Sequence, residues 1–205
     1  MLGKVTKGDY IRILGLDPGL RRAGWGIVDY DGSNIRHVAH GTITPSHKLD
    51  LVERLVVLHQ DLLKIVEDFK PVTAAAEETF VNQNGASTLK LGLARGVLLL
   101  APALSNIAIT EYAPNRIKKS LVGVGHASKD QIKIMVCKFL PRINVTSADS
   151  ADALAVAICH AHYQGVDLRL RSAANDKNLR RKSTKTISNG MNELINRALI
   201  KEALR

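Results

Sequence analysis

The stretch ILGLDPGLRRAGWGIV, residues 13–28, limits the folds open to this chain more than any other. A short apolar run stops on a carboxylate, Asp17, and Pro18-Gly19 turns the backbone at once. Pro fixes φ and Gly tolerates positive φ, so residues 11–17 read as a buried strand ending in a tight turn. Downstream, WGIVDYDG and NIRHVAHGTI read as two more strands joined by Asp-Gly, the strongest short-range hairpin signal. Leu49, Val52, Leu55, Val56, Leu62, Ile65, Val66 and Phe69 then recur at helical spacing until Lys70-Pro71 closes the segment.

VTAAAEETF, residues 72–80, is a fourth strand despite three alanines that weaken its propensity. From Ala86 to Leu104, the spacing of Leu89, Leu93, Val97 and Leu100 predicts a helix, with Gly92 and Gly96 suiting close packing on a sheet. Residues 107–114 read as a fifth strand. Two short helices, NRIKKSLVG and SKDQIKIMVCKFL, follow around the link GVGHA, the second capped by Ser128. An Ala-rich helix then starts at an N-cap Ser147. The order βββαβαβ followed by helices predicts an α/β architecture, a five-stranded mixed sheet covered by helices on both faces.

Charge separates the chain into two parts. The formal net charge is +10, which points to an anionic partner, nucleic acid before membrane surface. Residues 165–205 hold ten Lys/Arg and four Asp/Glu, a net of +6, leaving +4 for residues 1–164. Three parts are therefore expected: an N-terminal extension 1–10, a folded domain 11–164 and a basic C-terminal tail 165–205 too polar for a core, with NELINRALIKEALR as a short amphipathic helix. No apolar run approaches the roughly 20 residues that span a bilayer, and the N-terminus lacks the apolar core of a secretory signal, so a soluble, cytoplasmic protein is expected. Cys137 and Cys159 are expected to be reduced structural residues.

Three places now share one property. Asp17 and Glu77 stand near the ends of apolar strands, while Asp149 and Asp152, three apart in the first turn of a helix, share a face. Converged, the four would raise one another's pKa unless cations held them, and hard oxygen ligands select Mg²⁺ or Mn²⁺. Two such ions about 4 Å apart activate water and stabilise the leaving oxygen of a phosphodiester, which in a basic protein means a nuclease. Plainer readings stand beside this one: Asp17 as a turn residue, Asp149 and Asp152 as complements to the helix dipole. Glu78 would point away from Glu77, to solvent.

ILGLDPGLRRAGWGIV, AAEETF with STLKLGLARGV, RIKKSLVGVGHASKDQI and SADSADALAVAICHAH, in that order over about residues 11–163, closely resemble the RuvC type of Holliday-junction resolvase. The resemblance implies a ribonuclease-H-like three-layer fold, a homodimer, and paired, symmetric, Mg²⁺-dependent nicking of a four-way DNA junction during recombination and repair. It implies two Mg²⁺ per site, replaceable by Mn²⁺, held by Asp17, Glu77, Asp149 and Asp152. Lys118 and Lys129 match basic residues beside the scissile phosphate, and Phe80 an aromatic side chain that stacks on a base near the junction centre. Arg21, Arg22, Asn82 and Gln83 are nearby candidate DNA contacts. The resemblance also suggests cooperation with a junction-binding protein and a branch-migration ATPase of the RuvA and RuvB type.

Two other functional classes share some of these features. Sugar kinases and actin-like ATPases also end a first strand in Asp-x-Gly, but need a second such domain to close over nucleotide. A non-catalytic binder of branched DNA has no use for a carboxylate cluster. GVGHASK lacks the spacing of a phosphate loop, and His160 and His162, two apart on a helix, point away from each other.

Overall fold

The computed structural model describes residues 10–79, 84–145 and 147–164. The expectations for the N-terminal extension before Tyr10, for the basic C-terminal segment, and for Phe80, Asn82 and Gln83 lie outside the described residues. The elements are β1 (Ile11–Asp17), β2 (Ala23–Tyr30), β3 (Ile35–Ile43), α1 (Leu51–Phe69), β4 (Thr73–Glu77), α2 (Gly85–Leu104), β5 (Ala108–Tyr112), α3 (Pro114–Val122) and α4 (Lys129–Phe139). A last helix, α5, covers residues 148–164.

The five strands form one sheet in the order β3-β2-β1-β4-β5. β1, β2 and β3 pair antiparallel, while β4 joins β1 and β5 joins β4 in parallel, so the sheet is mixed as expected. The β2–β3 turn is closed by Asp31, whose Oδ1 accepts from the amides of Ser33 and Asn34 at 3.0 and 2.8 Å, with Gly32 at φ 92°. α1 begins two residues later than the apolar spacing predicts. Asp50 caps it and exchanges hydrogen bonds with Glu53, so Leu49 stays outside. Ser128 caps α4 as expected: its hydroxyl accepts from the Gln131 amide, and its own amide donates back to Gln131 Oε1.

Alternation along the strands sorts the sheet's two faces. Leu14 and Leu16 of β1 and Ala74 and Ala76 of β4 share one core with Leu58, Leu62 and Val66 of α1 and Ala94, Leu98 and Ala101 of α2. Their odd-numbered neighbours face α5. A Cβ on Gly15 would stand 2.2 Å from the Ala153 carbonyl oxygen, one on Gly24 2.0 Å from that of Asp149, and one on Gly26 2.7 Å from the Leu154 side chain. α5 thus lies on a track of glycines, backbone against backbone, and its alanines are what permit the approach. β4 sits between both helical layers, which is why Ala74, Ala75 and Ala76 are fully buried. Three-layer packing, not strand propensity, decides that segment.

Helix α2 departs from expectation. Its buried residues are Ala94, Leu98, Ala101 and Pro102, whereas Leu89, Leu93, Leu100 and Leu104 are exposed, Leu89 by 73%. A Cβ on Gly92 or Gly96 would meet nothing within 4 Å, so these glycines do not serve packing on the sheet. The apolar stripe and the core-facing stripe are different faces of one helix. α2 is also long and apolar enough to cross a membrane, contrary to the reading of the sequence, and it is mostly unburied. It is held to the sheet through Arg95, whose guanidinium grips Glu111 of β5 with two bonds of 2.6 and 2.5 Å. Cys159 is buried, but Cys137 is exposed, so only one of the two thiols fills the interior.

Candidate active site

Asp17 ends β1 and Glu77 ends β4. The parallel register pairs Gly15 with Ala75 and Leu16 with Ala76, so Asp17 and Glu77 come next on adjacent strands, on the α5 face. Adjacent strands run about 4.8 Å apart. Opposite Asp17 in the antiparallel register stands Gly24, and Gly24 packs against the peptide of Asp149. Contact between these two backbones brings the first turn of α5, with Asp149 and Asp152, over the strand ends. Lys118 on α3 and Lys129 at the start of α4 approach the same place.

Electrostatics report the convergence. Burial first, then Glu77, Asp152 and Asp149, push the Asp17 carboxyl up to about 8, with Lys129 opposing. Burial and Asp152 push Glu77 up to about 7 against Lys118 and Lys129. Asp152 is raised chiefly by burial, with Lys129 the largest opposing influence and Asp149 adding to the rise. A group of carboxylates that raise one another's pKa in this way is a site waiting for positive charge. Glu78 takes no part in these couplings; it is half-buried, and its amide donates to the Tyr112 carbonyl at 3.0 Å.

Two cations already answer part of that demand. Arg22 Nε lies 3.0 Å from Asp149 Oδ2, and Lys129 Nζ lies 3.9 Å from Asp152 Oδ2. Ser147 Oγ donates to Asp149 Oδ2 at 3.3 Å, and its own oxygen takes the Thr42 hydroxyl at 3.0 Å. Among the described residues, no three His, Cys, Asp or Glu side chains are already gathered into a metal-holding set. The donors nevertheless suit a hard divalent cation: they are all carboxylate oxygens, three of the four with raised pKa, and the two strands and α5 hold their backbones in place.

All four sequence-predicted carboxylates lie within electrostatic reach of this place, Glu77, Asp149 and Asp152 each acting on Asp17. So do Lys118 and Lys129, while Arg22, expected at DNA, is engaged by Asp149 and Arg21 is exposed beside it. Sequence reasoning missed the hydroxyl pair Ser147 and Thr42; the Ser-x-Asp at the α5 start was its one local signal, since Thr42 is 105 residues away. His160 and His162 do face apart as expected. His160 accepts or donates between Tyr112 OH at 2.9 Å and Thr73 Oγ1 at 3.0 Å, while His162 meets the edge of Phe139. These bonds pin the far end of α5 to β4 and β5.

Residues 13–160 match the protein family described as crossover junction endodeoxyribonuclease RuvC. A relative of that description from Bradyrhizobium sp. (strain BTAi1) is 51% identical over 164 residues, 80% of this chain and 94% of the relative. Another, from Paramagnetospirillum magneticum (strain AMB-1), is 55% identical over 163 residues, 80% of this chain and 98% of the relative. Among solved structures, Thermus thermophilus RuvC in complex with Holliday junction substrate aligns with a TM-score of 0.72 at 29% identity, covering 77% of this chain and 97% of that one. The yeast mitochondrial Holliday junction resolvase shares the fold, with a TM-score of 0.56 at 14% identity, over 78% of this chain and 82% of its own.

Proposed function

Because the chain belongs to the RuvC family of crossover junction endodeoxyribonucleases, we propose that its four-carboxylate pocket is where a four-way DNA junction is cut. The observation that carries this reading is the meeting of Asp17, Glu77, Asp149 and Asp152 from two strands and one helix, with Lys118 and Lys129 beside them. Asp17, Glu77, Asp149 and Asp152 would hold two Mg²⁺ ions, or Mn²⁺ in their place. Once bound, these would activate the attacking water and stabilise charge at the leaving oxygen of the phosphodiester.

The chain's own residues do the rest. Strand ends and the α5 first turn fix the backbones that carry the carboxylates, so only their side chains have to close around the ions. Lys118 offsets the phosphate charge that grows in the transition state, and Lys129 shares that role. Phe80 would stack on a base at the junction centre, with Asn82, Arg21 and Arg22 contacting the backbone nearby. Paired, symmetric nicks need two sites related by a two-fold axis, and the exposed stripe Leu89, Leu93, Leu100 and Leu104, beside open space at Gly92 and Gly96, supports a homodimer built on α2. The +6 of residues 165–205 would add salt-sensitive DNA affinity. Family membership supports delivery by a junction-binding protein and a branch-migration ATPase of the RuvA and RuvB type, and the DNA substrate supports a cytoplasmic place of action.

A synthetic four-way junction, labelled on each strand in turn and incubated with and without Mg²⁺ beside a linear duplex of the same sequence, tests this. Symmetric Mg²⁺-dependent nicks in the junction alone are expected. Binding without any cut, in Mg²⁺ and in Mn²⁺ across several junction sequences, would leave a branched-DNA binder and overturn the catalytic reading.

A further inference from the structure

We propose that Arg22 is a built-in counter-ion of this site: in the free protein it occupies Asp149, and it has to leave before Asp149 can ligate a cation. The inference rests on the reading of Asp149 as a metal ligand. Asp149 Oδ2 is engaged twice: it forms an ion pair with Arg22 Nε at 3.0 Å and accepts a hydrogen bond from Ser147 Oγ at 3.3 Å. The Ser147 hydroxyl is itself tied to Thr42 at 3.0 Å. An incoming cation therefore competes with the guanidinium, whose side chain is 62% exposed and so has room to move away.

Backbone packing imposes the pairing. Gly24 lies against the Asp149 peptide, and the turn after Asp17 closes so tightly that a Cβ on Gly19 would stand 2.0 Å from the Arg22 carbonyl oxygen. Arg22, two residues before Gly24, thus starts its side chain beside Asp149. Lys129 is held less closely, since 3.9 Å from Asp152 is beyond a hydrogen bond. Arginine does not lose its charge at any working pH, so it releases Asp149 only by swinging away. A DNA phosphate offers it a bidentate partner to swing to. Metal and DNA then favour each other's binding through this one side chain, and the effect is reciprocal.

Titrating DNA-free, full-length protein with Mn²⁺ by calorimetry tests the inference. Arg22→Ala and Arg22→Gln are expected to tighten Mn²⁺ binding about fivefold, the size of a half-exposed ion pair's coupling. Arg22→Lys, which keeps the charge, is expected to stay closer to wild type than either. In an Asp149→Asn background, Arg22→Ala is expected to change nothing. Unchanged or weaker Mn²⁺ binding in both neutral variants overturns the inference, as does the same gain with Asp149→Asn present, which would mean general charge repulsion. If Asp149→Asn alone leaves Mn²⁺ binding intact, the ligand role of Asp149 fails first and this inference with it.

Discussion

Asp17 has an unfavourable environment without metal, because burial and three neighbouring carboxylates hold its carboxyl near 8. Asparagine keeps the shape and removes the charge. Asp17→Asn is expected to abolish junction cleavage while leaving binding intact or tighter, since the amide keeps the shape of the side chain and cannot become a carboxylate facing DNA. The same substitution should stabilise the metal-free protein by about 1–3 kcal/mol in urea unfolding, as expected when a carboxyl disfavoured first by burial and then by its carboxylate neighbours is removed. Loss of folding and binding together would return Asp17 to a structural role. Lys118, coupled to both Glu77 and Asp152, stands on the other side of the balance. Lys118→Ala should slow single-turnover cleavage by about 10²-fold, in the range of one lost electrostatic donor. Junction affinity should fall far less, and an unchanged cleavage rate would end the proposed role.

At the level of elements, α5 carries the site because it is fastened at both ends. Near its start the fastening is the contact of Gly24 with the Asp149 peptide. Gly24→Ala places a Cβ where that carbonyl oxygen is, so α5 must lift and take Asp149 and Asp152 with it. A loss of about 3 kcal/mol or more in stability is expected from such overpacking, with cleavage lost in whatever protein remains folded. Near its far end His160 bonds Tyr112 and Thr73, and burial holds its imidazole down to about 4 from the ordinary 6.5. The unfolded chain therefore binds the extra proton between pH 6.5 and 4 while the folded one does not, so stability falls as pH drops through that window. Unfolding free energies from urea titration should decline more steeply there for wild type than for His160→Gln, by at most roughly 3 kcal/mol. Parallel curves would show that another group controls acid unfolding.

For the whole molecule, the proposed partner of the leucine stripe of α2 is the same stripe of a second chain. Leu93→Glu should therefore give a monomer by sedimentation velocity and convert paired nicks into single, uncoordinated ones; an unchanged sedimentation coefficient would send the dimer elsewhere. This stripe also marks where the sequence misleads. Leu89, Leu93 and Leu100 have helical spacing, yet spacing does not say whether an apolar face meets the chain's own sheet or something else, and here the core face is Ala94, Leu98 and Ala101. The sequence of elements along the chain, the hairpin and the helix starts after Ser128 and Ser147 were legible because turn and capping chemistry is local, whereas the order of the strands in the sheet was not. Asp17 and Glu77 stood out because each ends an apolar run, Asp149 and Asp152 because they share a face in the first turn of a helix, and the family resemblance joined the four into one set. Their mutual distances, the Arg22 ion pair and the Thr42–Ser147 bond were not legible, since they depend on register and on the depth to which α5 settles on Gly15, Gly24 and Gly26. Local stereochemistry thus determined the elements and the candidates. Only close packing of backbone on backbone decided which charges meet, because Coulomb coupling and hydrogen bonding change steeply over the few ångströms that tertiary contact sets.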